Sequence, residues 1–146
     1  DEESDYAVSQ SRPSVMQMEY NILSQSPADS FARAKGAGMG VISRVPLKRC
    51  FLSGKIDETF EFAEGDRRKN ALSPENIRKF QDQLNRVRDV AGQLNISPAA
   101  AALRFCVSNT DVSCVIPGIR TAEQSTQNAA CGEALPAEAV ARLRAL

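Results

Sequence analysis

With 146 residues, 42% hydrophobic and 25% charged, the chain has the composition of one soluble globular domain or a piece of a larger one. Eighteen basic and eighteen acidic residues cancel, so no whole-chain field draws nucleic acid or an anionic membrane, and no apolar run approaches the roughly 20 residues of a bilayer span. Histidine is absent, which excludes Ser-His-Asp and Cys-His nucleophile systems and His-ligated metals within this chain, and the acidic start Asp1-Glu2-Glu3-Ser4-Asp5, the reverse of a basic signal n-region, points to a cytoplasmic protein.

After a polar opening that can hold the end of a helix, residues 14–20 alternate apolar and polar and read as a strand. Residues 27–38 hold Phe31 and Ala34 and end in Gly36-Ala37-Gly38, a helix followed by its stop signal. Gly40-Val41-Ile42-Ser43 is a short buried strand. Residues 44–55 form a loop that Pro46 and Gly54 keep irregular. Residues 56–72 are a long polar excursion with Phe60 and Phe62 as anchors, a length that in a compact domain is functional or flexible.

Ser73-Pro74-Glu75 then supplies an N-cap, a proline at the first helical position and an acid in the first turn. Ile77, Phe80, Leu84, Val87, Ala91 and Leu94 follow at alternating steps of three and four, the stripe of an amphipathic helix. Ser97-Pro98 repeats the cap for an Ala-rich helix to Val107 that is apolar enough to be sandwiched. Val112–Ile116 reads as a buried strand ending at Pro117-Gly118, Thr121 caps a helix to about Ala130, and Leu135-Pro136 opens a terminal helix with Val140, Leu143 and Leu146. Cys50, Cys106, Cys114 and Cys131 lack metal spacing and sit in apolar or small-residue stretches, so they are expected to be reduced thiols in or near the core.

The alternation of strands and helices makes the class α/β with a parallel sheet. Three strands leave an edge and a face uncovered, so the chain is expected to pair with itself or to belong to a longer polypeptide.

Ligands of such sheets lie at the carboxyl ends of the strands. Between Ala32 and Ile56 the chain has six cations (Arg33, Lys35, Arg44, Lys48, Arg49 and Lys55) and no acid, while the next ten residues carry five acids. On spacing alone this is a solvated basic loop balanced by its acidic neighbour, or the place where a phosphate-bearing ligand approaches. At the second end, Gly118-Ile119-Arg120-Thr121 enters a helix N-terminus, where free N–H groups favour an anion. Gln124, Gln127 and Asn128 follow on that helix, and their amides suit a base edge.

Three ordered blocks carry a resemblance: residues 16–23 (Met-Gln-Met-Glu-Tyr-Asn-Ile-Leu), residues 40–55 with Arg44-Val45-Pro46-Leu47 and Leu52-Ser53-Gly54-Lys55, and Ile116-Pro117-Gly118-Ile119-Arg120 with Gln124 and Asn128. Together they resemble the C-terminal part of the aldo-keto reductases, over nearly the whole chain. The resemblance implies one incomplete domain, residues 1–146, carrying the last three βα units of a (β/α)8 TIM barrel, and an NADP(H) cofactor held without a Rossmann fingerprint. It places Gln17 at the end of the first strand on the nicotinamide carboxamide. Val45, Pro46 and Leu47 fall in the loop over the pyrophosphate, and Lys55 matches that loop's lysine. Gly118, Arg120, Gln124, Gln127 and Asn128 fall on the 2′-phosphate and adenine. Arg44 stands where many members stack an aromatic on the nicotinamide, a role a guanidinium plane can also take. Lys48-Arg49-Cys50 replaces small residues ending in glycine, a departure that would stiffen or displace the loop. The resemblance also puts the catalytic Asp, Tyr, Lys and His in the first four βα units, so no catalytic residue is assigned to this chain. Tyr20 is expected to be packing. The implied reaction is reduction of a small aldehyde or ketone, with the missing N-terminal half or a second copy as partner. The alternative is a non-catalytic nucleotide-binding or scaffold module.

Overall fold

The computed structural model describes residues 2–10 and 13–146; Asp1, Ser11 and Arg12, the first of them in the acidic start, lie outside the described residues. In chain order the elements are α1 (Glu2–Ser9), β1 (Val15–Glu19), α2 (Ala28–Gly36), β2 (Gly40–Arg44), a one-turn 3-10 helix (Phe51–Ser53), α3 (Arg68–Ala71), α4 (Pro74–Gln93), α5 (Pro98–Val107), β3 (Cys114–Ile116), α6 (Ala122–Ala129) and α7 (Ala137–Arg144).

Local chemistry accounts for the helix boundaries. Ser73 Oγ accepts from the N–H of Asn76 at 3.2 Å, Ser97 Oγ from Ala100 at 3.1 Å and Thr121 Oγ1 from Gln124 at 3.2 Å, so α4, α5 and α6 each start on a side-chain cap. In α2 the stop falls where Gly38 takes φ +75, a left-handed conformation cheap only for glycine, and the Met39 N–H returns to the carbonyl of Ala34 at 2.9 Å. Along α4 the expected stripe is buried at Ile77, Leu84, Val87 and Ala91, joined by Val90, with Phe80 and Leu94 half-covered at its margins. In α5 Ala101, Ala102, Leu103, Phe105 and Cys106 are all buried, and the small alanines let it lie against α4, β3 and the 3-10 turn at once.

Among the described residues there is one sheet, of three parallel strands in the order β1-β2-β3. Val15 aligns with Gly40 and Glu19 with Arg44, while Arg44 in turn aligns with Ile116. Residues in register point the same way, so Val15, Gln17, Glu19, Ile42, Arg44, Cys114 and Ile116 share one face and Met16, Met18, Val41, Ser43 and Val115 the other. The second face is covered by α2 and α5 and forms the core. Of the first, Val15 is 50% exposed and Ile116 43%. One-sided cover of parallel strands is the geometry of an arc of a barrel seen from its inside.

Just past β1, Tyr20 is 2% exposed, its ring stacked on Phe105 (5.8 Å, 19°) and met edge-on by Phe31 (5.3 Å, 67°). Its carbonyl accepts from Ser43 Oγ at 3.0 Å and from the Cys106 thiol at 3.4 Å. This knot joins β1, β2, α2 and α5 directly beneath the strand ends, the packing role expected of Tyr20.

Several expectations need correction. The last strand is neither five residues long nor buried: it spans Cys114–Ile116, with the Ser113 N–H reaching the Val41 carbonyl at 2.8 Å just before it, and it is a half-exposed edge because among the described residues β2 is its one strand neighbour and its inward face is bare. Cys106 and Cys131 are buried, but Cys50 and Cys114 are exposed, the first on a loop tip and the second on the bare face. The 44–55 loop contains the 3-10 turn, since Phe51 and Leu52 must both be buried within one short span. The excursion holds the single turn α3, and Phe60 stays 38% exposed, leaning edge-on against the better packed Phe62.

Replacing Ser73 by Ala is expected to cost about 1 kcal/mol through the lost cap, and Leu84→Ala about 2–5 kcal/mol through the cavity it opens. Urea unfolding of the two variants checks both, and equal losses would contradict this division between cap and core.

Candidate functional site

Parallel register brings the three strand ends to one level. Glu19, Arg44 and Ile116 lie side by side, so the segments that follow them, residues 20–25, 45–55 and 117–121, leave the sheet at the same end. Gln17 is not at the end of β1 but in its middle, opposite Ile42, with its side chain exposed on the bare face; the terminal position belongs to Glu19. The alternation of residues 14–20 marks the strand but not its end, which is set by hydrogen bonding that extends pairing to Glu19.

The loop after β2 is the most strained part of the chain. Val45 (φ 56), Lys48 (φ 44), Arg49 (φ 56) and Cys50 (φ 74) are left-handed, a region that costs a side-chain-bearing residue about 1–2 kcal/mol. The Lys48-Arg49-Cys50 departure from a glycine-ended run therefore falls on the positions where glycine would be cheapest. The surroundings hold the shape. Phe51 and Leu52 are fully buried, Pro46 is buried, and the Leu52 N–H reaches the carbonyl of Leu47 at 3.1 Å. Fully buried Asn21 donates to the carbonyl of Val45 at 3.0 Å, and the Lys48 ammonium donates to Glu19 at 2.7 Å. Arg44 approaches the other oxygen of Glu19 at 4.0 Å. Lys48 is thus neutralised within the chain rather than held out for a phosphate.

Burial alone would push the Glu19 carboxyl up, but the hydrogen bond and charge of Lys48, helped by Asn21 and Arg44, hold it below its ordinary value of 4.5. Neither residue 19 nor 21 was a candidate from the sequence. The signal was there in the charge pattern: a stretch with six cations and no acid must find its counter-charge elsewhere.

At the other end, the turn through Gly118 is open, and a methyl group built there meets nothing within 4 Å. Arg120 is exposed. Its N–H donates to Gln124 Oε1 at 2.8 Å while Thr121 accepts from the Gln124 N–H, so Gln124 reaches back past the N-cap to hold the residue that enters its own helix. Gln127 Nε2 donates to Glu123 at 2.9 Å, and half-buried Asn128 lines a hollow of about 200 Å³ against Leu103, Val115, Pro117 and Cys131. The three amides therefore do not form one free edge; Gln124 keeps its amino group available and Asn128 faces the sheet.

The excursion links the two ends. Arg68 clasps Asp66 through contacts of 2.5–3.0 Å and lies over the Phe62 ring at 5.7 Å. That clasp holds the Asp66 carboxyl down at about 2, with a smaller contribution from the charge of Arg120, and Arg68 is raised in turn, chiefly by Asp66 and less by the Cys50 thiol. Asp66 is thus near enough to Arg120, and Arg68 to Cys50, for their charges to be felt. Arg49, Lys55 and Arg120 are exposed and form no ion pair among the described residues, which leaves them to meet an anion. Among the described residues no group of His, Cys, Asp or Glu could hold a metal ion, and no helix is long and apolar enough to cross a membrane.

Comparison with known proteins bears on this geometry. The model of the aldo/keto reductase family matches residues 5–146. A probable voltage-gated potassium channel subunit beta of Oryza sativa subsp. japonica is 28% identical over 131 residues, covering 85% of this chain and 40% of the relative. The aldo-keto reductase yakc [NADP(+)] of Schizosaccharomyces pombe is 26% identical over 121 residues, 79% and 36% of the two lengths. Among solved structures, the glycerol dehydrogenase AKR11B4 of Gluconobacter oxydans superposes with a TM-score of 0.77 at 20% identity, over 88% of this chain and 40% of that one. The holo form of the aldo-keto reductase AKR11C1 of Bacillus halodurans gives 0.70 at 23% identity, over 97% and 45%. The chain thus spans less than half the length of each of these relatives.

Two outcomes test this description of the site. Cys50→Gly, which relieves a left-handed side chain, is expected to stabilise the chain by about 0.5–1 kcal/mol after the glycine's extra unfolded-state entropy is subtracted; a loss in urea unfolding would contradict the strain. A carboxylate held below its ordinary value contributes stability above that value and loses it as pH falls through the folded one. The stability gap between wild type and Glu19→Gln should therefore be full near pH 7 and close as pH drops below about 4, read from urea midpoints across that range.

Proposed function

The chain belongs to the aldo/keto reductase family, and we propose that it is the NADP(H)-holding part of an oxidoreductase that reduces a small aldehyde or ketone. The observation that carries this reading is the common level of the three strand ends, Glu19, Arg44 and Ile116, which opens the 45–55 loop and the 117–121 turn onto one side of the sheet. Members of this family generally use a nicotinamide cofactor, and the fission-yeast relative carries NADP(+) in its name.

The residues present fit such a group. The open backbone at Gly118 lets a large ligand approach the turn closely, and Arg120 stands beside the N-terminus of α6, whose free N–H groups favour an anion. In this reading Arg120 pairs with the 2′-phosphate through its planar fork, Gln124 and Asn128 meet the adenine, and Gln127 supports that face of the helix. Lys55 and the Val45-Pro46-Leu47 loop cover the pyrophosphate and exclude water. Gln17, exposed on the bare sheet face, orients the carboxamide, and the Arg44 guanidinium lies flat against the ring. When bound, the cofactor supplies the hydride. No side chain of this chain is assigned the proton; in this reading that role falls to the N-terminal half of a barrel covering the bare face, whereas a second copy would cover the face without adding a donor. A cytoplasmic setting belongs to the same reading, supported by four free thiols.

A second reading, favoured by the likeness to a channel beta subunit, is a nucleotide-binding module without turnover. Activity of the native protein on a simple aldehyde with NADPH separates the two.

Arg120→Ala is expected to weaken NADPH binding about tenfold or more while leaving NADH nearly unchanged, because a charge-assisted phosphate contact is worth about 1.5–3 kcal/mol. Nucleotide fluorescence titration measures both. Equal loss for the two cofactors would remove Arg120 from the 2′-phosphate.

A further inference from the structure

We propose that Glu19 is a positioning residue that sets the shape of the 45–50 loop through Lys48 and thereby the cofactor grip. The loop carries four left-handed, side-chain-bearing residues, so its observed path is not the one its backbone prefers. Apolar anchors hold its outgoing side, where Phe51 and Leu52 are fully buried. On its incoming side Pro46 is buried and Leu47 packs against the core, but the left-handed residues Val45 and Lys48 that flank them are tied by polar groups. Asn21 donates to the Val45 carbonyl, and Lys48 donates to Glu19 at 2.7 Å with both side chains only 27% exposed. Asn21 also donates to Glu19 Oε1 at 3.4 Å, so both polar ties converge on one carboxylate. Arg44 reaches the same carboxylate, which means that a single acid collects the strand-end cation and the loop cation together.

The geometry gives Glu19 two effects on ligand binding. It withdraws Lys48 from the cations that could meet phosphate, leaving Arg49 and Lys55, and it draws Arg44 toward β1, beside the face that carries Gln17. Released from the tie, the left-handed turn relaxes toward ordinary backbone and shifts Pro46 and Leu47 with it. This consequence for the cofactor rests on the NADP(H) reading given above, whereas the tie itself does not.

The test is a double-mutant cycle of Glu19→Gln, Lys48→Met and the pair together, in the full chain. Three readouts are taken: trypsin cleavage after Arg49 under native conditions, NADPH affinity by nucleotide fluorescence, and Tm. Each single variant should cleave several times faster at Arg49 and bind NADPH about five- to tenfold more weakly, and the double variant should be no worse than either. Tm should move by less than about 4 °C, so that affinity changes without a matching global loss. Additive effects of the two substitutions, or unchanged cleavage and affinity, would overturn the proposal, as would an affinity loss that merely follows Tm. Failure of the wild-type chain to bind NADPH would sink the cofactor reading; the cleavage arm then decides the tie by itself, with faster, non-additive cutting supporting it and unchanged cutting overturning it.

Discussion

Parallel register is the constraint on which the rest of this molecule depends. Because Glu19, Arg44 and Ile116 are aligned across three strands that run the same way, every segment that follows a strand emerges at one end of the sheet, and the helices that pack on the strands, α2 and α5, lie on one face. Had one strand been antiparallel, the 45–55 loop and the Gly118 turn would open on opposite sides and no single ligand could touch both. The same register sorts the side chains: the helix-covered face takes Met16, Val41 and Ser43, while Gln17, Arg44 and Cys114 are left exposed on the face that no helix among the described residues covers.

Two kinds of order meet at the strand ends. Below them is a close-packed knot of Tyr20, Phe31 and Phe105, tied to backbone by Ser43 and by the Cys106 thiol, whose burial pushes it up to about 12 and leaves it inert. Above them is a loop whose shape opposes backbone preference and is kept by Asn21, Glu19 and Lys48. Stability stored in the knot lets the loop carry strain, and strain at a ligand-facing segment is common where a site must be formed before its ligand arrives.

Much of the fold was legible in the residues. The caps at Ser73, Ser97 and Thr121 and the stripe from Ile77 to Leu94 located α4, α5 and α6, since capping and periodicity are local signals. What was not legible depended on neighbours in space. The mostly apolar stretch Val112–Ile116 looks buried until Cys114–Ile116 is seen as an edge strand with one strand partner among the described residues. Cys50 and Cys114 look like core thiols until the bare face and the loop tip are known. At the site, the run from Arg44 to Lys55 announced itself by charge, but the sequence could not say which cation is free, because Glu19, the acid that claims Lys48, lies 29 residues away. The amides of α6 showed the same limit: Gln124 was visible as a polar group on a helix face, whereas its use as a cap partner appears only with the turn in place.

The central claim is that three strand ends of this chain converge on one phosphorylated dinucleotide. Its most direct test is amide chemical-shift mapping of the isotope-labelled chain titrated with NADPH. The account predicts shifts gathered at residues 19–21, 44–55 and 117–128, with α4 and α7 silent. Shifts confined to the helical face, or spread without regard to the strand ends, would contradict it.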